Sequence, residues 1–452
     1  MMMAHNFFLD QYKQQRAAAT KPACDAPFKS LYFGHSGYVL PCCHNKPFYL
    51  GKYPEQSIAE IWGATRAAHL RQALQNFDFS NGCGGCMNQL TACNGFSSHI
   101  DAYNHLPSNV NGMPTEFQFE LSNICNLECV MCNGNFSSLI RTKREGKPLR
   151  KEVYDQNFVP QLIPFLPTLK QAQFYGGEPF LITIYHQIWD AIALHNPAIQ
   201  IKVQTNGTVL NTKLKEKLLQ CNFSIGLSID SPVKQTYETI RVNAGFDELC
   251  QNVQWFVNYC KQKNTYCNIS YCVMQQNVHE IAAMAQWCNR LQVPLTLQPV
   301  ITPYKISVRG IATAQLQHIK NHLQQELKNL PTQGHIESQN YLECENYIQQ
   351  LDTYLNHSIA QPLHTNTLPI DNLFDFIKLL ETELNAAFSL EQTRHCLHIY
   401  KQAVAGLEYN PEIIEKYRHY NIYNKENLIE FVSAVSQNTP EHLRYLITEV
   451  MH

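Results

Sequence analysis

Residues Cys125–Cys132 read CNLECVMC and set Cys125, Cys129 and Cys132 in a C-x3-C-x2-C spacing. The stretch follows TEFQFEL (115–121), whose alternating apolar and polar residues read as a strand. A loop at a strand end can wrap three thiolates around one corner of an iron–sulfur cube and leave one iron without a protein ligand. A tetrahedral zinc would need a fourth donor, for which His186 and Cys221 are distant candidates. The spacing alone leaves both metals open.

Five more short strands follow: QAQFYGG (171–177), IQIKVQTNG (199–207), FSIGLSID (223–230), CNISYCVM (267–274) and VPLTLQPV (293–300). Helical stretches separate several of them, at Val153–Phe165, Ile182–His195, Thr212–Leu219, Phe246–Lys261 and His279–Arg290. Strands alternating with helices imply a parallel sheet. Six such units make an incomplete barrel, because a closed one needs eight. A diffuse seventh strand is a weaker expectation near 301–308. Beyond residue 311 the pattern is helical, clearest in TAQLQHIKNHLQQELKNL (313–330) and NLFDFIKLLETELNAAF (372–388), with two further helices expected within 410–437.

A second set of cysteines lies upstream. Cys24, the Cys42-Cys43 pair, Cys83 and Cys86 flank SIAEIWGATRAAHLRQALQNF (57–77), which reads as a helix with Ser57 and Glu60 placed for a capping box. A C-x2-C hairpin offers two thiolates from one turn, and Cys24 with Cys42 can complete a tetrahedron. On residues alone, zinc and iron–sulfur fit this set equally.

The chain has 452 residues, 44% apolar and 16% charged, with a formal net charge of -2. That length supports two or three domains, and the balanced charge gives no general footprint for nucleic acid. No apolar run is long enough to span a bilayer, and the first 20 residues lack the order of a secretory signal, so the expectation is a cytoplasmic protein without a membrane role. Seventeen cysteines in such a chain point to metal chemistry rather than disulfides.

CNLECVMC, GGEP (176–179), TNG (205–207), SID (228–230) and IRVNAGFDELCQNV (240–253) occur in one order, each after its strand. On these motifs, residues 115–300 resemble the radical S-adenosylmethionine (radical SAM) superfamily. The resemblance implies an α/β fold, a partial (β/α)6 TIM barrel. It implies a [4Fe–4S] cluster on Cys125, Cys129 and Cys132, with S-adenosylmethionine on the open iron through its amine and carboxylate. Gly176, Gly177 and Glu178 would hold the amino group. Thr205, Asn206, Ser228 and Asp230 would bring polar strand ends near the cofactor, and Arg241 would face its carboxylate. The backbone at Met131 and the fifth strand near Cys272 and Val273 would line the adenine. A glycine-rich GxIxGxxE adenine motif is not recognisable between the fourth and fifth strands. The implied reaction is one-electron cleavage of the sulfonium to methionine and a 5′-deoxyadenosyl radical, which abstracts a substrate hydrogen.

The pattern C…GYVLPCC…SIAEIW…GCGGC resembles the SPASM or shorter twitch accessory domain of these enzymes, here preceding the barrel rather than following it. It implies one auxiliary [4Fe–4S] cluster on Cys24, Cys42, Cys83 and Cys86, with Cys43 and Cys93 in reserve. The full two-cluster cysteine set is missing. Three segments are therefore expected: a cluster domain at 1–112, the radical SAM core at 113–310 and a helical region at 311–452. Implied partners are a one-electron donor such as flavodoxin or ferredoxin and a peptide or protein substrate. Alternatives are a small metabolite or RNA base as substrate, or a catalytically silent iron–sulfur regulatory protein. The basic run RTKREGKPLRKE (141–152) either guides an anionic ligand or is a solvated excursion; with few aromatics interleaved it does not favour nucleic acid.

Overall fold

The computed structural model describes residues 2–92, 98–107, 112–301, 303–360, 373–407, 431–432, 435 and 438–447. It divides into two compact units, Met1–Gln118 with His364–His452, and Phe119–Leu363. This division differs from the three expected segments, because the helices after residue 310 are shared between the units.

In the first unit, α1 (Met2–Ala18) leads to a small antiparallel meander of β1 (Ser30–Gly34), β2 (Tyr38–Leu40) and β3 (Gly51–Lys52). Tyr32 pairs with Leu40, and Tyr38 with Lys52. A buried charge cluster braces the start: Arg16 and Lys29 each reach Asp25 at 2.7 Å, so two cations share one carboxylate. The long helix expected at 57–77 is two helices, α2 (Ile58–Trp62) and α3 (Thr65–Gln75). The Ser57–Glu60 capping box forms as expected, with Ser57 N–H donating to Glu60 at 2.7 Å. Gly63, the weakest helix former in the stretch, ends α2, and Ala64 is extended before α3 begins. α4 (Gly84–Ala92) then carries Cys86.

β4 (Glu116–Glu120) carries the chain into the second unit. There α5 (Phe158–Leu162), β5 (Gln171–Phe174), α6 (Thr183–His195), β6 (Gln200–Thr205), α7 (Thr212–Leu219), β7 (Asn222–Ser228), α8 (Lys234–Ile240), α9 (Phe246–Lys263), β8 (Cys267–Val273), α10 (Ile281–Leu291) and β9 (Leu295–Pro299) follow in turn. The strand order β4-β5-β6-β7-β8-β9 equals the chain order, and the pairs from β5 to β9 are parallel. This is the partial (β/α) barrel that six α/β units imply.

Side-chain alternation gives the sheet its two faces. Phe174, Ile201, Val203, Phe223, Ile225 and Leu227 are buried, and Phe174 and Phe223 meet Trp189 of α6 edge-on at 5.4 and 5.3 Å. The opposite parity is polar and half-buried, with Gln173, Lys202, Gln204, Ser228, Asn268 and Ser270 on the inner face. The helix expected from Val153 is shorter; α5 starts at Phe158, and Pro164 lies in the single 3-10 turn that closes it.

The seventh strand expected near 301–308 does not form among the described residues: Tyr304–Ile306 and Val308–Gly310 are 3-10 turns. α11 (Thr313–Leu327) and α12 (His335–Ala360) come next, and α12 was not legible in the sequence pattern. It covers the open edge of the sheet. Leu295 N–H donates to Asn340 Oδ1 and Leu297 N–H to Glu343 Oε1, both at 2.7 Å. A strand edge left bare would offer those N–H groups to another chain.

The first unit resumes with α13 (Leu373–Ala387), α14 (Leu390–Val404) and α15 (Pro440–Tyr445). Phe376, Leu380, Leu384, Leu397, Tyr400 and Leu443 build its second core. His442 on α15 meets Tyr38 edge-on at 4.2 Å and Tyr49 at a tilt at 4.5 Å, and burial pushes its pKa down to about 3. The helices expected within 410–437 lie almost wholly outside the described residues. No helix among the described residues is long and apolar enough to cross a membrane.

Candidate functional site

CNLECVMC forms the loop after β4, and hydrogen bonds hold it from both sides. Cys125 N–H donates to Ser138 Oγ at 3.2 Å, and Cys132 N–H to Cys129 O at 3.1 Å. Glu128 N–H donates to Val242 O and Val130 N–H to Ile240 O, at 3.1 and 3.0 Å. The segment after β7 thus clamps the middle of the loop. Ser137 Oγ donates to Leu127 O at 2.7 Å, and Asn123 donates to Gly134 O at 2.8 Å.

Two networks meet this loop. In the first, Arg241 Nε donates to Asp230 Oδ2 at 2.5 Å, and its Nη1 contacts Cys129 Sγ at 3.9 Å. Asp230 is fully buried, and its Oδ1 accepts from Cys272 N–H at 2.7 Å. Asn277, unremarkable in the sequence, donates to Asp230 O and Cys272 O and ties the strand ends together. Arg241 is therefore a buried residue paired to Asp230 and leaning on a cluster-loop sulfur, not a surface ion pair.

In the second, Glu178 is fully buried. Its carboxylate accepts from Thr205 Oγ1 at 2.7 Å, Asn206 N–H at 2.8 Å and Phe180 N–H at 3.2 Å. Burial pushes its carboxyl up to about 7 against those stabilising donors. Asn206 donates to Asn126 Oδ1 at 2.9 Å, and Asn126 donates to Thr208 at 2.9 Å. The asparagine next to Cys125 thus joins the loop to the end of β6. Ser228 stands apart from both networks and accepts from Gln204 at 2.8 Å. Met131 packs with Ile240, Met274 and Val300.

Gly176 and Gly177 have φ of +80° and +47°, a region that suits glycine. A Cβ on Gly177 would stand 2.1 Å from Ile124 O, and one on Gly176 2.7 Å from Ser122 O. The pair admits the backbone that leads into Cys125.

The basic run folds back on the same loop. Arg144 donates to Glu128 O at 2.6 Å and Cys129 O at 3.1 Å. Arg141 donates to Pro148 O, Arg150 to Asn135, and Lys147 lies 3.1 Å from Glu145, which in turn accepts from Gly134 N–H. These cations brace the loop, a role their spacing did not reveal.

In the first unit, Cys24, Cys42, Cys83 and Cys86 line one small cavity of about 20 Å³. His44 and His99 line it too and stack on each other at 3.6 Å, a pair the sequence did not single out. Asn45 donates to Cys83 Sγ at 3.3 Å. Cys43 hydrogen-bonds with Tyr103 instead, and Cys93 lies outside the described residues.

Both thiol sets suit a metal cluster chemically. Burial first, and neighbouring sulfurs after it, raise Cys24 and Cys86 to about 12, Cys125 to about 11 and Cys132 to about 12. Grouped buried thiols of this kind lose their protons when a cation compensates the charge. Among the described residues no three His, Cys, Asp or Glu side chains converge as for a single ion. Ligands of a cube bind separate irons and stand further apart than those of one ion.

Comparison with known proteins agrees with this arrangement. Residues 119–288 match the radical SAM superfamily, and residues 24–87 match the SPASM iron–sulfur cluster-binding domain. The chain carries a radical SAM domain with a SPASM domain ahead of it. An uncharacterized protein of Methanocaldococcus jannaschii is 31% identical over 114 residues, 25% of this chain and 37% of that protein. One of Archaeoglobus fulgidus is 28% identical over 121 residues, covering 26% and 27%. The aligned part thus spans about a third of these relatives' length. Among solved structures, anSMEcpe with bound AdoMet shares 18% identity over 47% of this chain and 60% of that one, at a TM-score of 0.37. Streptococcus suis SuiB bound to its precursor peptide SuiA shares 14% over 54% and 52%, at a TM-score of 0.35.

Proposed function

We propose that the chain is a radical SAM enzyme that abstracts hydrogen from a peptide or protein substrate. The observation that carries this reading is the loop of Cys125, Cys129 and Cys132, clamped between the Asp230–Arg241 pair and the Glu178–Thr205–Asn206 network at the ends of neighbouring strands. Cys125, Cys129 and Cys132 would hold a [4Fe–4S] cluster, which would supply one electron for the reductive cleavage of bound S-adenosylmethionine.

The chain's own residues prepare that site. Arg241 places positive charge 3.9 Å from Cys129 Sγ and favours its thiolate. Asp230 holds the guanidinium in that orientation while keeping Cys272 N–H satisfied. Glu178 fixes the ends of β5 and β6 against each other, and Gly176 and Gly177 let this corner approach the cysteine loop.

We assign an auxiliary [4Fe–4S] cluster to Cys24, Cys42, Cys83 and Cys86, the four cysteines that share a cavity. The SPASM match favours a peptide or protein substrate, and a flavodoxin- or ferredoxin-type protein fits as electron donor. The internal pairing of Arg141, Arg144, Lys147 and Arg150 speaks against that run as a nucleic acid groove.

The test is anaerobic reconstitution, with iron and sulfide counted beside dithionite-driven release of 5′-deoxyadenosine. Two clusters correspond to about eight irons per chain. Replacing Cys83 and Cys86 with alanine should remove about four and leave the central signal. Loss of no iron would overturn the auxiliary assignment. Full cluster loading without 5′-deoxyadenosine would overturn the enzymatic one.

A further inference from the structure

Away from both cysteine loops, the second unit sets two thiols side by side. Cys260 lies in the last turns of α9, and Cys267 opens β8. Cys267 faces Ile225 in the β7–β8 register, and Cys260 Sγ lies 3.9 Å from Phe223 O, so both stand over the same part of β7.

The short connection between them is fixed. Asn264 takes the left-handed conformation at φ +53°, Thr265 N–H donates to Cys260 O at 2.9 Å, and Ile225 N–H donates to Tyr266 O at 2.9 Å. The two thiols perturb each other: the Cys267 thiol lowers the pKa of Cys260, and the Cys260 thiol raises that of Cys267. Both are nearly buried, at 1% and 8% exposure, which excludes bulky reagents. A pocket of about 280 Å³, lined by Cys260 and Cys267 with Lys261, Tyr266, His335 and Gln339, has room for a small molecule beside them.

We propose that Cys260 and Cys267 are a modification site that closes to an intramolecular disulfide when the protein meets a small peroxide. The chemistry balances in two steps. The Cys260 sulfur attacks one peroxide oxygen and the O–O bond breaks, leaving a sulfenic acid and one water. The Cys267 sulfur then attacks the Cys260 sulfur, the S–OH bond breaks, and a second water leaves with the Cys267 proton. Two thiols are oxidised and one hydrogen peroxide is reduced. The lower-pKa thiol is the better first nucleophile, and its neighbour is in place to resolve it. Cys288, whose charge also raises Cys267, is the rival partner. This site stands independently of the reaction proposed above.

Peptide mapping of the cluster-loaded protein tests it. Hydrogen peroxide is added anaerobically until about half the free thiols are lost, and the rest are alkylated on unfolding. Trypsin cuts at Lys261 and Lys263, between the two cysteines, so a disulfide would join peptides 242–261 and 264–290. The expected product is that joined pair, two hydrogens lighter than the sum, with fragment ions placing the bond at Cys260–Cys267. Cys267→Ser should instead leave a Cys260 sulfenic acid that dimedone, present as the protein is unfolded, captures. Alkylation of both thiols in the wild-type protein after other cysteines have oxidised, or a Cys267–Cys288 bond in place of the expected one, would overturn the proposal.

Discussion

Gly177→Ala tests how the cysteine loop is held. The added Cβ would stand 2.1 Å from Ile124 O, well inside any real contact, and that atom is backbone. The same carbonyl accepts from Glu178 N–H at 2.7 Å, so moving it endangers that bond as well. The left-handed φ of +47° costs an alanine about 1–2 kcal/mol. Overpacking adds about 1–3 kcal/mol, and a weakened hydrogen bond about 1 kcal/mol. The expected loss is therefore about 3–6 kcal/mol. Because Ile124 precedes Cys125, the displacement enters the first proposed cluster ligand directly. Urea unfolding measures the stability, and iron counts after reconstitution measure the loop; about four irons should be lost from the central site. Gly176→Ala, with its Cβ 2.7 Å from Ser122 O, should show a smaller iron loss. Wild-type unfolding together with full iron loading in Gly177→Ala would refute the close-approach argument.

Asp230→Asn leaves Arg241 buried without its counter-charge and should cost about 3–5 kcal/mol; a loss below about 1 kcal/mol in urea unfolding would show that the pair is not structural. For Glu178, burial raises the folded-state pKa from 4.5 to about 7. The folded state then holds the proton longer than the unfolded chain, so its contribution is full below about pH 4.5 and is lost as pH rises through about 7. That shift corresponds to roughly 3 kcal/mol across the window. Glu178→Gln does not titrate, so wild type should lose stability relative to the variant between about pH 4.5 and 7, read from urea midpoints at each pH. A constant difference across that range contradicts the assignment. Asn340→Ala removes the acceptor of Leu295 N–H at the open sheet edge and should cost about 1–3 kcal/mol, with faster amide exchange at Leu295; unchanged exchange there would count against α12 as the edge cover.

Local spacing carried most of the core. The alternation in TEFQFEL, QAQFYGG, IQIKVQTNG, FSIGLSID, CNISYCVM and VPLTLQPV located all six strands, because a strand's two faces demand a period of two. The Ser57–Glu60 box was readable because capping is a contact between residues three apart. The three cysteines of CNLECVMC were likewise legible as one ligand set, since eight residues hold them on one loop.

What the tertiary structure decided depends on residues far apart in the chain. Arg241 could be read as a surface ion pair until the fold buried it between Asp230 and Cys129, 112 positions away. The close approach of Gly176 and Gly177 to the backbone of Ser122–Ile124 exists only in the fold. The basic run turned out to brace the loop, and α12, hidden by a mixed pattern, caps a sheet edge whose need for hydrogen bonds exists only once the sheet is built. Pro303 and the 3-10 turns beyond it replaced the expected seventh strand, because the edge partners of β9 were already supplied by that helix. The sequence by itself determined the strand period and the thiol set; burial and long-range hydrogen bonding, which no local window contains, determined how that set is held.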